Sequence, residues 1–296
     1  MGGFEHSFDS DNFSLESVLQ EFFDDSAYSK NTDSLIKVAA GKIPWDFPVY
    51  DLIEDIKDST LRLKMRSSSR DLQLAMIEYH LHFLTKKEKI GSLYKELEKF
   101  VFLLSLIGDE NASYLDFKSE LDRMAFRVGE LIALNRASVS DSAKLQILTQ
   151  VIHEEERFIG NQIFYQNPDN SFLTKVLKTK LGIPITLSII YILIGLRLEL
   201  PLFGINMPLH FLVSYENDDF QTYVDPFNGG VWIDKDTCLR FLEANGYSTE
   251  TDMFPVASTS SIIRRMYNNL ILIYRNQNEK TLENILIRQA SILQPA

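Results

Sequence analysis

Between Leu181 and Gly230 the chain reads LGIPITLSIIYILIGLRLELPLFGINMPLHFLVSYENDDFQTYVDPFNGG, and its hydrophobic period changes once within that stretch. Pro184 suits the first position of a helix, because its φ is already helical and its missing N–H would have no partner there. From Ile185 to Leu198 nearly every side chain is apolar, which predicts a helix buried on most of its surface. The apolar run is too short to cross a bilayer, which takes about 20 residues. It reads as a core helix.

After Pro201 the period becomes two. Leu209–Tyr215 and Phe220–Asp225 read as strands of aromatic and β-branched residues, separated by Glu216-Asn217-Asp218-Asp219. A turn centred on Asn217 and Asp218 sets His210 opposite Asp225, Leu212 opposite Tyr223 and Ser214 opposite Gln221. Phe211/Val224, Val213/Thr222 and Tyr215/Phe220 then form the apolar face. Directly opposed residues have Cβ atoms about 4.5–5.5 Å apart, so this register allows a His210–Asp225 contact. A slip of one residue would part them onto opposite faces. A carboxylate on one imidazole nitrogen fixes the tautomer and stabilises the imidazolium, leaving the other nitrogen as a base.

Composition narrows the function class. With 30 Lys and Arg against 41 Asp and Glu, the net charge of −11 has the wrong sign for a phosphate-backbone binder. No basic run marks a nucleic-acid or membrane patch. A 45% hydrophobic fraction with 24% charged residues is that of a soluble globular protein. The single Cys, Cys238, excludes an intrachain disulfide and a multi-thiolate zinc site, as expected in a reducing compartment. The opening MGGFEHSFDS lacks a signal-peptide pattern and has His6 where myristoylation needs Ser or Thr, so a cytoplasmic setting is expected.

Residues 1–13 are polar and expected to be mobile. Helical spacing follows over Ser14–Asp25, Thr32–Ala40, Tyr50–Met65 and Arg70–Leu84, with Pro44, Phe47 and Pro48 marking a break. Lys86-Lys87-Glu88-Lys89 is the candidate boundary of an N-terminal helical region, 1–88. Ser92–Ile107, Tyr114–Asn135 and Ser140–Arg157 continue the helical pattern, and Thr237–Ala244 is a further helix. Gly229 and Gly230 supply positive φ after the second strand.

Other motifs read as structural. His80 and His82 point about 200° apart on a helix and cannot share a metal. His153-Glu154-Glu155-Glu156-Arg157 begins like a zincin helix but has Arg157 where the second His belongs, so His153 reads as an ordinary helix residue. Cys238 lies near a helix start, but adjacent acids oppose its ionisation. Asn161, Asn167 and Asn170 sit in a polar loop that suits turns and caps.

A helix start of the form Gly-x-Cys-x-x-x-(Ala/Ser), followed by a strand His and a strand Asp, is the order found in the papain-like transglutaminase superfamily. Gly182-Ile183-Pro184-Ile185-Thr186-Leu187-Ser188, His210 and Asp225 fall in those places. The runs FIGNQIFYQNPDNSFLTKVLKTKLGIPITLSIIY, LPLFGINMPLHFLV and YVDPFNGG resemble the bacterial SirB family of transglutaminase-like proteins, from about residue 90 to the C-terminus. The resemblance implies an α+β fold, mostly helical, with a central helix on a small antiparallel sheet and helical ends. It places the core over residues 89–258. It also implies a polar pocket at the helix N-terminus, with Asn161, Asn170, Pro184 and Asn206 as binding candidates.

The chain departs from the pattern at the decisive position: Pro184 has neither a thiol nor a backbone N–H. Ser188 lies one turn on and is the alternative nucleophile, with Thr186 nearby; a hydroxyl there would need a base within reach. The tail resembles one tetratricopeptide unit over 259–296, with Tyr267, Leu270 and Tyr274 at first-helix core positions and Ile287 and Ala290 at second-helix ones. One unit cannot form a solenoid, so it is expected to pack on the domain. Two functions follow as expectations. One is a non-catalytic module that binds a protein or peptide, without cofactor or metal and without nucleic-acid or membrane partners. The other is a hydrolase or acyl-transfer enzyme in which His210 is the base, Asp225 orients it, and water or Ser188 attacks.

Overall fold

A computed structural model of the chain describes residues 14–17, 36–37, 39–46, 48–88, 93–134, 139–248 and 254–293. Most of the two helices expected before residue 40, and the end of the charged connector at Lys89, lie outside them. The helices described first are α1 (Val49–Glu54), α2 (Ser59–Ser67), α3 (Ser69–Glu88), α4 (Leu97–Ser105), α5 (Tyr114–Leu134) and α6 (Asp141–Gln150). The single helix expected over 50–65 is two. Asp58 takes an extended conformation and its carboxylate accepts from the Leu61 N–H, so a new helix starts there. The helix expected over 140–157 changes at Val151–Glu155 into one turn of π-helix.

Strand β1 (Ile159–Gly160) then pairs in parallel with β2 (Leu181–Gly182), across the short helix α7 (Leu173–Thr179). Helix α8 (Pro184–Arg197) begins at Pro184 as its ring dictates. It is buried without interruption from Pro184 to Gly195, and packs against α5, the sheet and the turn at Pro226–Asn228. The Thr186 hydroxyl accepts from the Ile183 N–H and donates to the Asn170 carbonyl, which ties the helix start to the preceding loop.

The sheet has four antiparallel strands in the order β3 (Leu202–Ile205), β4 (Leu212–Glu216), β5 (Gln221–Asp225) and β6 (Val231–Ile233). The outer strands β3 and β6 were not foreseen. The register differs from the expected one by two residues: Val213 pairs with Val224, Ser214 with Tyr223 and Tyr215 with Thr222. The cause lies in the turn. The Asn217 side chain accepts from the N–H groups of both Asp219 and Phe220, and the Asn217 N–H bonds the Phe220 carbonyl, so Asp218 and Asp219 are central. Because two is the period of a strand, His210 and Asp225 keep a common face. Strand β4 also starts later than expected, leaving His210 in the turn that precedes it.

Phe211, Val213, Tyr215 and Val224 face the main core with α8. Leu212 and Tyr223 face a smaller cluster with Cys238 and Leu242 of α9 (Lys235–Ala244). The chain ends in the helix pair α10 (Thr259–Asn276) and α11 (Lys280–Ile292). Tyr267, Leu270 and Tyr274 are buried as the repeat pattern requires, but Ile287 is exposed while Leu286 and Gln289 are buried. Helix α11 is turned by one residue from the expected placement because Gln289 is bonded on both sides, accepting from the Tyr267 hydroxyl and donating to the Leu74 carbonyl of α3. Among the described residues, no helix is long and apolar enough to cross a membrane.

Candidate active site

His210 stands at the mouth of the sheet, held by its N–H to the Met207 carbonyl. The residue before it, Leu209, has φ of 64°, a left-handed conformation that a leucine adopts only under constraint, and its side chain is exposed. Nε2 of His210 lies 2.9 Å from Oδ2 of Asp225, although the ring is turned so that the N–H direction departs from the line to that oxygen. The imidazole is 15% exposed and the carboxylate 6%. The pair expected from the strand pattern is therefore present, as a diagonal neighbour contact rather than a direct cross-strand one.

Asp225 does more than face His210. Its Oδ1 accepts from the N–H groups of Phe227 and Asn228, and its Oδ2 accepts from the Asn228 amide at 2.7 Å. Burial alone would raise the pKa of this carboxyl. The contacts with His210 and Asn228 outweigh burial and hold it below the usual carboxylate range. The group is an anion that both terminates β5 and polarises an imidazole.

A second histidine lies close by. His153, in the π-turn, donates from Nδ1 to the Phe158 carbonyl, which leaves Nε2 as a buried acceptor without a hydrogen-bond partner. Burial pushes its pKa down, against the pull of the Phe158 carbonyl and of the Asp225 charge. Its ring centroid is 5.9 Å from that of Tyr191 on α8. A Cβ on Gly230 would come within 3.0 Å of His153 and 2.6 Å of the Tyr191 hydroxyl, so only glycine allows β5 to turn away there. Gly229 and Gly230 have the positive φ expected of them, 77° and 73°.

The start of α8 is occupied by structural contacts. Pro184 is buried, and Thr186 is committed to the helix start. Ser188 is fully buried and its hydroxyl donates to the Phe211 carbonyl at 3.4 Å, a backbone tie one turn beyond Pro184. Asn161 and Asn170 bond each other, and their remaining groups hold the Phe164 N–H and the Phe164 and Tyr165 carbonyls. Their amides brace the loop that carries Ile163, Phe164 and Tyr165 instead of opening into a pocket. The Asn206 amide oxygen accepts from Arg265.

Phe227 was not singled out from the sequence, yet its ring forms the wall beside His210, with ring centroids 6.3 Å apart. His153 was set aside because Arg157 stands where a zincin helix has its second His, and the helical period gives no hint of a π-turn; Arg265, over fifty residues from His210, was not singled out. Cys238 is buried, and burial followed by the charges of Asp234 and Asp225 pushes its thiol up to about 11. It is a packing residue. Among the described residues, no cluster of three His, Cys, Asp or Glu could hold a metal ion.

Residues 115–268, just over half of the chain, match the sequence model of the family described as Transglutaminase-like superfamily. The chain belongs to the transglutaminase-like superfamily. The matched span of this transglutaminase-like chain holds Pro184, His210, Asp225, His153 and Arg265, and leaves α1–α4 and α11 outside. The chain is 38% identical over 139 residues to a UPF0162 protein of Xylella fastidiosa strain Temecula1, covering 45% of this chain and 50% of that protein. It is 28% identical over 156 residues to the human F-box only protein 21, covering 50% of this chain and 24% of that protein. This transglutaminase-like chain thus spans about half the length of the first bacterial relatives it matches. No solved structure matches it.

Proposed function

We propose that this transglutaminase-like chain is a SirB-type, non-catalytic module that binds a protein or peptide in a reducing, cytoplasmic setting. The observation that carries this reading is Pro184 at the helix start, where the superfamily pattern has its Cys. A proline there removes both the thiolate and the N–H on which acyl-enzyme chemistry depends. The buried, backbone-bonded Ser188 hydroxyl supports the same reading, because it is not poised to attack. The acidic charge balance argues against nucleic acid and anionic membrane as partners.

A second reading rests on the 2.9 Å His210–Asp225 contact: a hydrolase that activates water. The two separate in one experiment. The wild-type chain is incubated with a glutamine-containing peptide, an aryl ester and a peptide amide. The binding reading expects no turnover, and expects Pro184→Cys to acquire a thiol that iodoacetamide alkylates faster than in Pro184→Cys/His210→Ala. Wild-type turnover that disappears in His210→Ala, with the fold retained, would establish the hydrolase instead. Affinity capture with mass spectrometry then supplies candidate partners.

A further inference from the structure

Arg265 of α10 reaches under the loop that carries His210. Its Nη1 donates to the Asn206 amide oxygen and to the Met207 carbonyl, the carbonyl that also receives the His210 N–H. Its guanidinium carbon lies 5.6 Å from the Phe211 ring centroid. Among the described residues, no carboxylate lies within 4.0 Å of this half-buried cation. Arg197, in contrast, is neutralised by both Glu98 and Asp122. A cation removed from water without a counter-ion carries a desolvation cost that neutral oxygens offset only in part.

Tyr165, Phe227 and His210 form a run of ring contacts beside the loop that Arg265 holds through the Met207 carbonyl. The Tyr165 and Phe227 rings meet edge-on at 5.9 Å, and Phe227 meets His210 edge-on at 6.3 Å. The cation bonds the same Met207 carbonyl as the His210 N–H, and the imidazole borders this aromatic wall. Ile163 and Phe164 extend it with side chains 85% and 68% exposed, and Leu209 adds a third exposed apolar group. Both described hydrogen bonds of Arg265 come from Nη1, so its Nε–Nη2 edge is the free face of a fork that matches the two oxygens of a carboxylate.

We propose that Arg265 is the receptor for a ligand carboxylate, with the ligand's apolar groups seated on the Tyr165–Phe227 wall beside His210. The ligand class is a peptide with an apolar residue and a carboxylate, supplied either by its own C-terminus or by an acidic side chain. This deepens the peptide-binding reading and rests on it.

The test follows NMR shifts of the wild-type protein during titration with N-acetylphenylalanine, N-acetylphenylalanine amide and N-acetyl-phenylalanyl-glutamic acid α-amide, whose side-chain carboxyl is free. The first probe presents a C-terminal carboxylate, the third a side-chain one, and the second none. Saturable shifts at Tyr165, His210 and the Arg265 Nε are expected, with at least one acid probe binding about tenfold more tightly than the neutral amide. Which acid binds identifies the source of the carboxylate. Arg265→Gln should abolish that preference and Arg265→Lys should keep part of it. Equal binding of acid and amide by the wild type overturns the carboxylate receptor and leaves peptide binding standing. So does a preference unchanged in Arg265→Gln. Absence of binding by all three probes overturns the receptor, and accompanied by turnover of the substrates above it overturns the binding reading too. If Arg265→Gln fails to fold, the wild-type comparison and Arg265→Lys still decide.

Discussion

Gly160 and Phe227 approach so closely that a Cβ on Gly160 would stand 2.4 Å from the Phe227 carbonyl oxygen and 2.6 Å from its ring. The two-residue strand β1 is thereby pressed against the turn that follows Asp225. That turn in turn holds the carboxylate facing His210.

Gly160→Ala should therefore be costly although it adds one methyl. The nearest atom is backbone and cannot rotate away, so the turn at Pro226–Asn228 must move. A loss of about 1–3 kcal/mol is expected, as for other overpacked sites. Urea denaturation measures it, and an unchanged midpoint would show that β1 does not press on Phe227.

Asp225→Asn removes an anion whose folded pKa lies below its ordinary value. The sign follows from that direction. Such a group stabilises the fold above its unfolded pKa of about 3.9 and loses that contribution as pH falls through the lower folded value. The stability gap between wild type and Asp225→Asn should be constant above about pH 5 and narrow below about pH 4. A gap that widens on acidification would contradict the arrangement around Asp225.

His153 acts in the same direction but at higher pH. Its folded pKa is lowered by burial, so the unfolded chain takes up a proton near pH 6.5 while the folded one resists. Stability should fall as pH drops below about 6.5, and fall less steeply in His153→Gln. His80, also lowered by burial, contributes in the same direction. An NMR titration placing His153 at or above 6.5 would remove the basis for this expectation.

The α+β class and the buried central helix were legible in the apolar run after Pro184, because helix-start chemistry and period are local properties of neighbouring residues. The His210–Asp225 pairing was legible for a weaker reason. Alternation along a strand preserves a face under any even shift, so a register wrong by two residues still joined the two groups. The unforeseen pieces have a common character. Strand β3 is short, β6 follows a glycine turn, and the π-turn at His153 breaks the helical period that would reveal it.

What the sequence determined by itself was identity and phase: a proline at the start of the central helix, and a histidine and an aspartate on one sheet face. Only the tertiary structure decided their company. Gly160 against Phe227, His153 against Gly230 and Arg265 beneath the His210 loop are contacts between segments 55 to 77 residues apart along the chain. Backbone period carries information over a few residues, whereas contacts at that separation depend on how whole elements pack.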